Sequence, residues 1–260
     1  MHAAPAPASR WLSIVGIGED GVAGLGEEAR GLISSAEIVF GGKRHLDLAS
    51  PLIRGEARAW PSPFSTQAVT ALAGRAVCVL ASGDPFLHGV GATLARSIPA
   101  DEMHVVPAPS AFSLAAARLG WALQDVATLS LHGKAISLIR PHLHPSRKLL
   151  CLTSDADGPA TIAALLTRLG FGRSRLTVLE ALGGTHELIR TNRADAFALK
   201  NINPLNLLAV DVESNREARI VPLAPGLADD LFEHDGQITK REVRALTISA
   251  LAPRRGDLLW

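Results

Sequence analysis

Hydrophobic positions along the chain fall into short continuous runs, broken by loops of glycine, proline and small polar residues. The clearest run covers residues 76–81. A strand covered on both faces reads this way, because neither face alternates with solvent. Comparable runs predict strands at 11–17, 37–40, 103–106, 126–131, 148–152, 176–182 and 206–212. Between them the spacing changes to three and four. Leu25, Ala29, Leu32 and Ile33 share one stripe and predict a helix over 25–35. Further helices are expected at 66–72, near 90–96, at 112–119 and at 159–169. Ser110 is placed to cap the third of these, and Gly120 and Gly170 to stop the last two. Residues 51–65 and 140–147 carry prolines without periodicity and read as loops, with His142 and His144 solvated. Alternating strands and helices predict an α/β fold.

The pattern changes after Glu213. Residues 214–236 read as a linker. Thr239 and Glu242 then form a capping box, with Thr239 as N-cap and Glu242 three residues on. The helix over 240–252 is expected to bury Val243, Leu246, Thr247, Ala250 and Leu251. Residues 258–260 read as a beginning strand, and residues 1–10, rich in alanine and proline, as a frayed tail without the apolar core of a signal peptide.

Composition narrows the function classes. A chain of 260 residues fits one large or two ordinary domains. A net charge of +1 argues against a nucleic-acid binder held by bulk charge. No apolar run approaches the length of a membrane span. Cys78 and Cys151 each lie inside an apolar run, which predicts buried free thiols in a reducing, cytoplasmic setting and no metal site.

Three stretches carry candidate chemistry. Ser82-Gly83-Asp84-Pro85 breaks the strongest strand at its carboxyl end, where open α/β sheets bind ligands. The other reading is an ordinary strand-to-helix turn. Residues 16–21 match G-x-G-x-x-G, which opens an NAD(P) oxidoreductase as an alternative. Against it, Glu19 and Asp20 put negative charge where a pyrophosphate would sit, and strand 37–40 leads to Lys43 and Arg44, not to an acidic residue. Lys43, Arg44 and His45 are either a solvated basic loop or a seat for an anionic substrate, since arginine pairs bidentately with carboxylates. Ser110 either caps its helix or offers its hydroxyl and neighbouring amides to a ligand. His88 and His132 are candidate bases, each also readable as structural.

Five motifs stand in a telling order: V-G-I-G at 15–18, F-G-G-K-R-H-L at 40–46, A-S-G-D-P-F-L-H-G-V-G at 81–91, A-P-S-A-F-S-L-A-A-A-R-L-G at 108–120 and L-E-A-L-G-G-T-H-E-L-I at 179–189. Together they resemble the tetrapyrrole (precorrin) methylases, over residues 11 to about 213. The order is most similar to the CbiE-like part of the C5,15-methylating, decarboxylating branch. The tail from Ile238 resembles the opening of a second, CbiT-like methyltransferase domain, fused C-terminally in that branch, so a fusion cut short at 260 is expected.

The resemblance implies the two-domain tetrapyrrole methylase fold, with α/β domains at 11–121 and 122–213 and S-adenosylmethionine in the cleft between them. It places Gly83, Asp84 and Leu87 in the cofactor loop and Ser110 and Ala111 at a second contact. Leu152, Thr153, Ala181, Leu182 and Asn206 fall where the C-terminal domain closes on the cofactor. Lys43, Arg44 and His45 would face the substrate, a polycarboxylate macrocycle, precorrin-6B, methylated at C5 on the route to cobalamin. Glu19-Asp20 departs from the family's usual Pro-Gly. A homodimer is also implied. A cofactor-binding subunit, inactive without its partner domain, is the other alternative.

Overall fold

A computed structural model of the chain describes residues 10–258. The first half builds β1 (Leu12–Ile17), α1 (Glu27–Ser35), β2 (Ile38–Gly41), α2 (Lys43–Ala49), β3 (Glu56–Ala59), α3 (Gln67–Thr70), β4 (Val77–Ser82), α4 (Val90–Leu94), β5 (Met103–Val106) and α5 (Ala111–Leu119). Its five strands form a wholly parallel sheet in the order β3-β2-β4-β1-β5. The continuous apolar runs follow from this placement, because both faces of the central strands are covered. Leu12, Ile14, Val77 and Val79 point to one face, against Phe40, Leu94 and Met103. Val15, Ile17, Cys78 and Leu80 point to the other, against Ala29, Ile33 and Ala49.

The second half contains β6 (Val126–Ser130), β7 (Lys148–Leu152), α6 (Gly158–Arg168), β8 (Arg175–Glu180), β9 (Leu188–Arg193) and β10 (Asn206–Asp211). They form a mixed sheet in the order β6-β7-β10-β8-β9, with only the β6–β7 pair parallel. α6 covers one face through Ile162, Ala163 and Leu166, which meet Cys151, Val178 and Leu208. The other face is covered by α5. Phe112 and Ala115 pack on Leu150, Leu179, Leu207 and Ala209. The helix that leaves the first sheet thus closes the second. Its ends obey the capping expectation: Ser110 Oγ accepts from Ser113 N–H at 3.1 Å, and Gly120 ends the helix at φ 65°.

The strand and tail expectations meet four departures in the structure. β3 lies inside the stretch expected to be a loop; Glu-Ala-Arg-Ala is a largely exposed edge strand, whose charges suit an edge and hide it from hydrophobic patterning. β9 is likewise a mostly exposed edge strand without a hydrophobic signature. Its neighbours hold it by a Thr177–Thr191 hydroxyl bond of 3.0 Å and by Arg190 on Glu180 at 2.9 Å. The supposed linker is partly packed: Ala218 and Ile220 join the second core, and Arg219 N–H donates to Leu169 O at 2.9 Å. Finally, the capping box does not form. α7 (Arg241–Leu251) starts from Lys240, with no side-chain cap. Arg244 ties its first turns back to Asp229 and Leu227 O, at 2.7 and 2.6 Å, and lies over the Phe232 ring. The expected buried stripe is uncovered, with Val243, Leu246 and Leu251 all exposed. Leu258 is also exposed; the rest of the expected terminal strand, and residues 1–9, lie outside the described residues.

Among the described residues no helix is long and apolar enough to cross a membrane, and no group of three or more His, Cys, Asp or Glu is placed to hold a metal ion. Cys78 and Cys151 are free and fully buried, and burial pushes both thiols up to about 12. A thiol is reactive only as its thiolate and only where a reagent reaches it. Neither cysteine should therefore react with an aromatic disulfide reagent at pH 8 in the native protein, and both should react in denaturant. Rapid labelling of either in the native state would contradict the burial described here.

Candidate functional site

Gly83 sets the geometry of the cleft. It follows β4 at φ +57°, a left-handed conformation that a side chain resists. Its N–H donates to Ile17 O at 3.1 Å, and its carbonyl accepts from Ala108 N–H at 3.2 Å. The loops after β1, β4 and β5 are thereby stitched together at the carboxyl end of the sheet. Gly16 leaves the room for this: a Cβ there would stand 2.0 Å from Gly83 O and 2.5 Å from Ala108 N. A Cβ on Gly83 would stand 2.9 Å from Pro109 O. Asp84 closes the next turn, its Oδ1 accepting from Phe86 N–H at 2.8 Å.

A cavity of about 220 Å³ opens between this stitched edge and the second sheet. Gly83, Asp84 and Leu87 line one wall, with Ser110 and Ala111 at the start of α5. Leu152, Leu182 and Asn206 line the opposite wall, contributed by the ends of β7, β8 and β10. An adjoining depression of about 490 Å³ shares Asp84, Leu87, Ser110 and Phe112 and runs out past Leu123 and Thr128. The first amides of α5 have no partner within the helix ladder, so this rim offers backbone donors. The hydroxyl of Ser110 is spent on the cap, and the residue lines both spaces.

Thr153 and Ala181 are not on the cavity wall. Thr153 Oγ1, buried, donates to Asn206 Oδ1 at 2.6 Å. Asn206 Nδ2 donates in turn to Asp155 O and Asn203 O, at 2.9 and 2.8 Å. Every polar atom of that amide is used to pin the loops beside the cleft, and Thr153 positions it. Ala181 starts the turn after β8 at φ 44°, its N–H donating to Leu205 O at 2.9 Å.

The basic triplet separates. It forms the first turn of α2, not a loop. Arg44 reaches the cavity wall, Lys43 lines a different surface depression with Asp47 and Ala57, and His45 turns inward. Arg44 Nη2 lies 2.9 Å from His45 Nε2. Burial first, then the Arg44 charge, push His45 down to about 4, so it is neutral at physiological pH and adds no positive charge. Of the two candidate bases, His88 lies on the cavity wall, its ring edge-on to Phe112 at 6.4 Å, whereas His132 is exposed and sits 3.3 Å from Thr153 O. Residues unread in the sequence complete the wall, chiefly Leu114, Leu179, Leu205 and Leu207. Their signal was only apolar, which a core residue gives as well.

The G-x-G-x-x-G stretch builds no dinucleotide cradle. It runs into a single turn of 3-10 helix at Gly21–Gly24. α1 begins only at Glu27, with Glu27 and Glu28 in its first turn, where a pyrophosphate would need positive potential.

Comparison with known proteins gives consistent results. Residues 12–198 match the family model of tetrapyrrole (corrin/porphyrin) methylases, and residues 230–260 match that of a precorrin methyltransferase domain. A precorrin-6Y C(5,15)-methyltransferase [decarboxylating] from Sinorhizobium sp. is 59% identical over 258 residues, covering 98% of this chain and 62% of the relative. The chain thus spans less than two thirds of that relative's length. A cobalt-precorrin-7 C(5)-methyltransferase from Salmonella typhimurium is 29% identical over 180 residues, covering 68% of this chain and 88% of the relative. Among solved structures, a precorrin-6Y methylase (CbiE) from Archaeoglobus fulgidus superposes with a TM-score of 0.59 at 28% identity, covering 79% of this chain and all of that one. A uroporphyrin-III C-methyltransferase from Thermus thermophilus, complexed with S-adenosylhomocysteine, shares the fold at 20% identity and a TM-score of 0.58, covering 76% and 96% of the two chains. With the two sheets, the stitched loop edge and a family match spanning most of its length, this chain belongs to the tetrapyrrole methylases.

Proposed function

We propose that this chain transfers a methyl group from S-adenosylmethionine to C5 of a precorrin-6-stage macrocycle in cobalamin biosynthesis. One observation carries the reading: loops from both sheets converge on one largely apolar cleft, whose rim carries the partly exposed backbone at the start of α5. The residues present suit such a cofactor. Leu152, Leu179, Leu182 and Leu207 offer an apolar floor for a nucleoside, backbone amides suit its polar edges, and Arg44 suits a carboxylate. When bound, the sulfonium supplies a methyl group already activated for transfer.

The protein's own task is then alignment and exclusion of water. The two adjoining spaces meet at Asp84, Leu87, Ser110 and Phe112, so donor and acceptor would face each other across these residues. Phe112 is anchored in the second core and holds that boundary still. The C5 assignment draws on the Salmonella relative, named for C5 methylation alone, whose match covers 68% of this chain and 88% of its own length. Incubation with a precorrin-6-stage substrate and S-adenosylmethionine should add one methyl with retention of carbon dioxide. A product that has lost carbon dioxide, or no methylated product, would refute the assignment.

Gly83→Val tests the cleft itself. Forcing a β-branched residue to positive φ and against Pro109 should weaken S-adenosylhomocysteine binding by about tenfold or more. Calorimetry reads the affinity, and a retained thermal transition shows that the fold survives. Unchanged affinity would place the cofactor elsewhere.

A further inference from the structure

The departure at Glu19 is not absorbed by the reading above. Glu19 lies in the loop after β1, and Arg44 in the first turn of α2; both line the cleft. Arg44 Nη1 is paired with Glu19 Oε1, an oxygen shut off from solvent. The other edge of the guanidinium is fixed by neutral His45. Among the residues lining the cleft, Arg44 is the single permanent cation. Asp84, the other carboxylate on the wall, accepts from the Phe86 amide in its own turn. Glu19 therefore cancels the one positive charge that a ligand carboxylate could use.

We propose that Glu19 is a resident carboxylate which holds Arg44 until a ligand carboxylate takes its place, and that it thereby sets the affinity of the cleft for its anionic ligand. This rests on the methyl-transfer reading of the cleft. The exchange keeps the half-buried guanidinium paired throughout, so no step leaves its charge dry and alone. The Glu19 backbone need not move: its Cβ packs beside Gly184 of the second half, 2.7 Å from where a Cβ would stand on that glycine. Only the side chain has to rotate. Because the ligand competes with an internal carboxylate, its apparent affinity is reduced by the fraction of time Arg44 is occupied.

Two sources of carboxylate fit this chemistry: the amino-acid end of the cofactor and the peripheral acids of the macrocycle. Calorimetry on the full chain separates them, using S-adenosylhomocysteine, 5′-methylthioadenosine, which lacks the amino-acid end, and uroporphyrin, a stable polycarboxylate tetrapyrrole. Glu19→Gln should tighten one carboxylate ligand by about three- to fivefold, the span of a partly exposed ion pair. Tightening of S-adenosylhomocysteine identifies the cofactor as the source, and tightening of uroporphyrin alone identifies the macrocycle. Methylthioadenosine should not change, and the gain should vanish in an Arg44→Gln background. Glu19→Ser is the second neutral variant, should glutamine disturb the loop. The proposal is overturned if neither neutral variant tightens either carboxylate ligand, if methylthioadenosine tightens equally, or if the gain persists without Arg44. Failure of the wild-type chain to bind S-adenosylhomocysteine would instead strike the methyl-donor reading, leaving the uroporphyrin arm to decide the role of Glu19.

Discussion

The packing of α5 across the boundary between the sheets is the contact on which the cleft depends. The helix takes its N-cap from the loop that follows β5 and buries Phe112 and Ala115 in the core of the second sheet. Burying a side chain such as Phe112 contributes roughly 2–3 kcal/mol. That burial fixes the distance between the Gly83 edge and the ends of β7, β8 and β10. A ligand bridging the two walls meets a gap already set, and little of its binding free energy goes into ordering the site.

Electrostatics follow the same economy. Most charge near the cleft is consumed internally. Asp84 is used by its own turn and Glu19 by Arg44, and His45 is kept neutral by burial beside a cation. Farther back, buried Glu180 is satisfied by Arg190 and by the Asn203 amide, at 2.9 and 2.6 Å. Arg118 clamps Glu187 with both of its forks, which ties α5 to the loop after β8. The remaining cleft is apolar, with backbone donors at its rim. That surface suits a ligand carrying its own activated group better than a reaction needing an array of charged catalysts.

How much of this was legible in the sequence depends on burial. The central strands β1, β2, β4, β7, β8 and β10 bury nearly every residue and so print as apolar runs. Gly83 and Ser110 were legible because backbone chemistry dictated them. The edge strands β3 and β9 were not, since exposed strands need no hydrophobic signature. Nor could the sequence divide the basic triplet: three consecutive residues point in three directions only once they wind into a helix. Arg44 then meets the cleft, Lys43 a separate depression and His45 the interior. The family resemblance puts Thr153 at the cofactor. Its hydroxyl instead serves Asn206 from behind the wall, a distinction of one hydrogen bond that no spacing encodes.

The central claim is that one ligand is held between two sheets whose spacing α5 sets. Hydrogen exchange with and without S-adenosylhomocysteine tests it most directly. The account predicts slower exchange at once in the Gly83–Leu87 loop, at the start of α5, and in the loops around Leu182 and Asn206. Protection confined to one half of the chain, or centred on the Gly16–Gly21 turn, would contradict it.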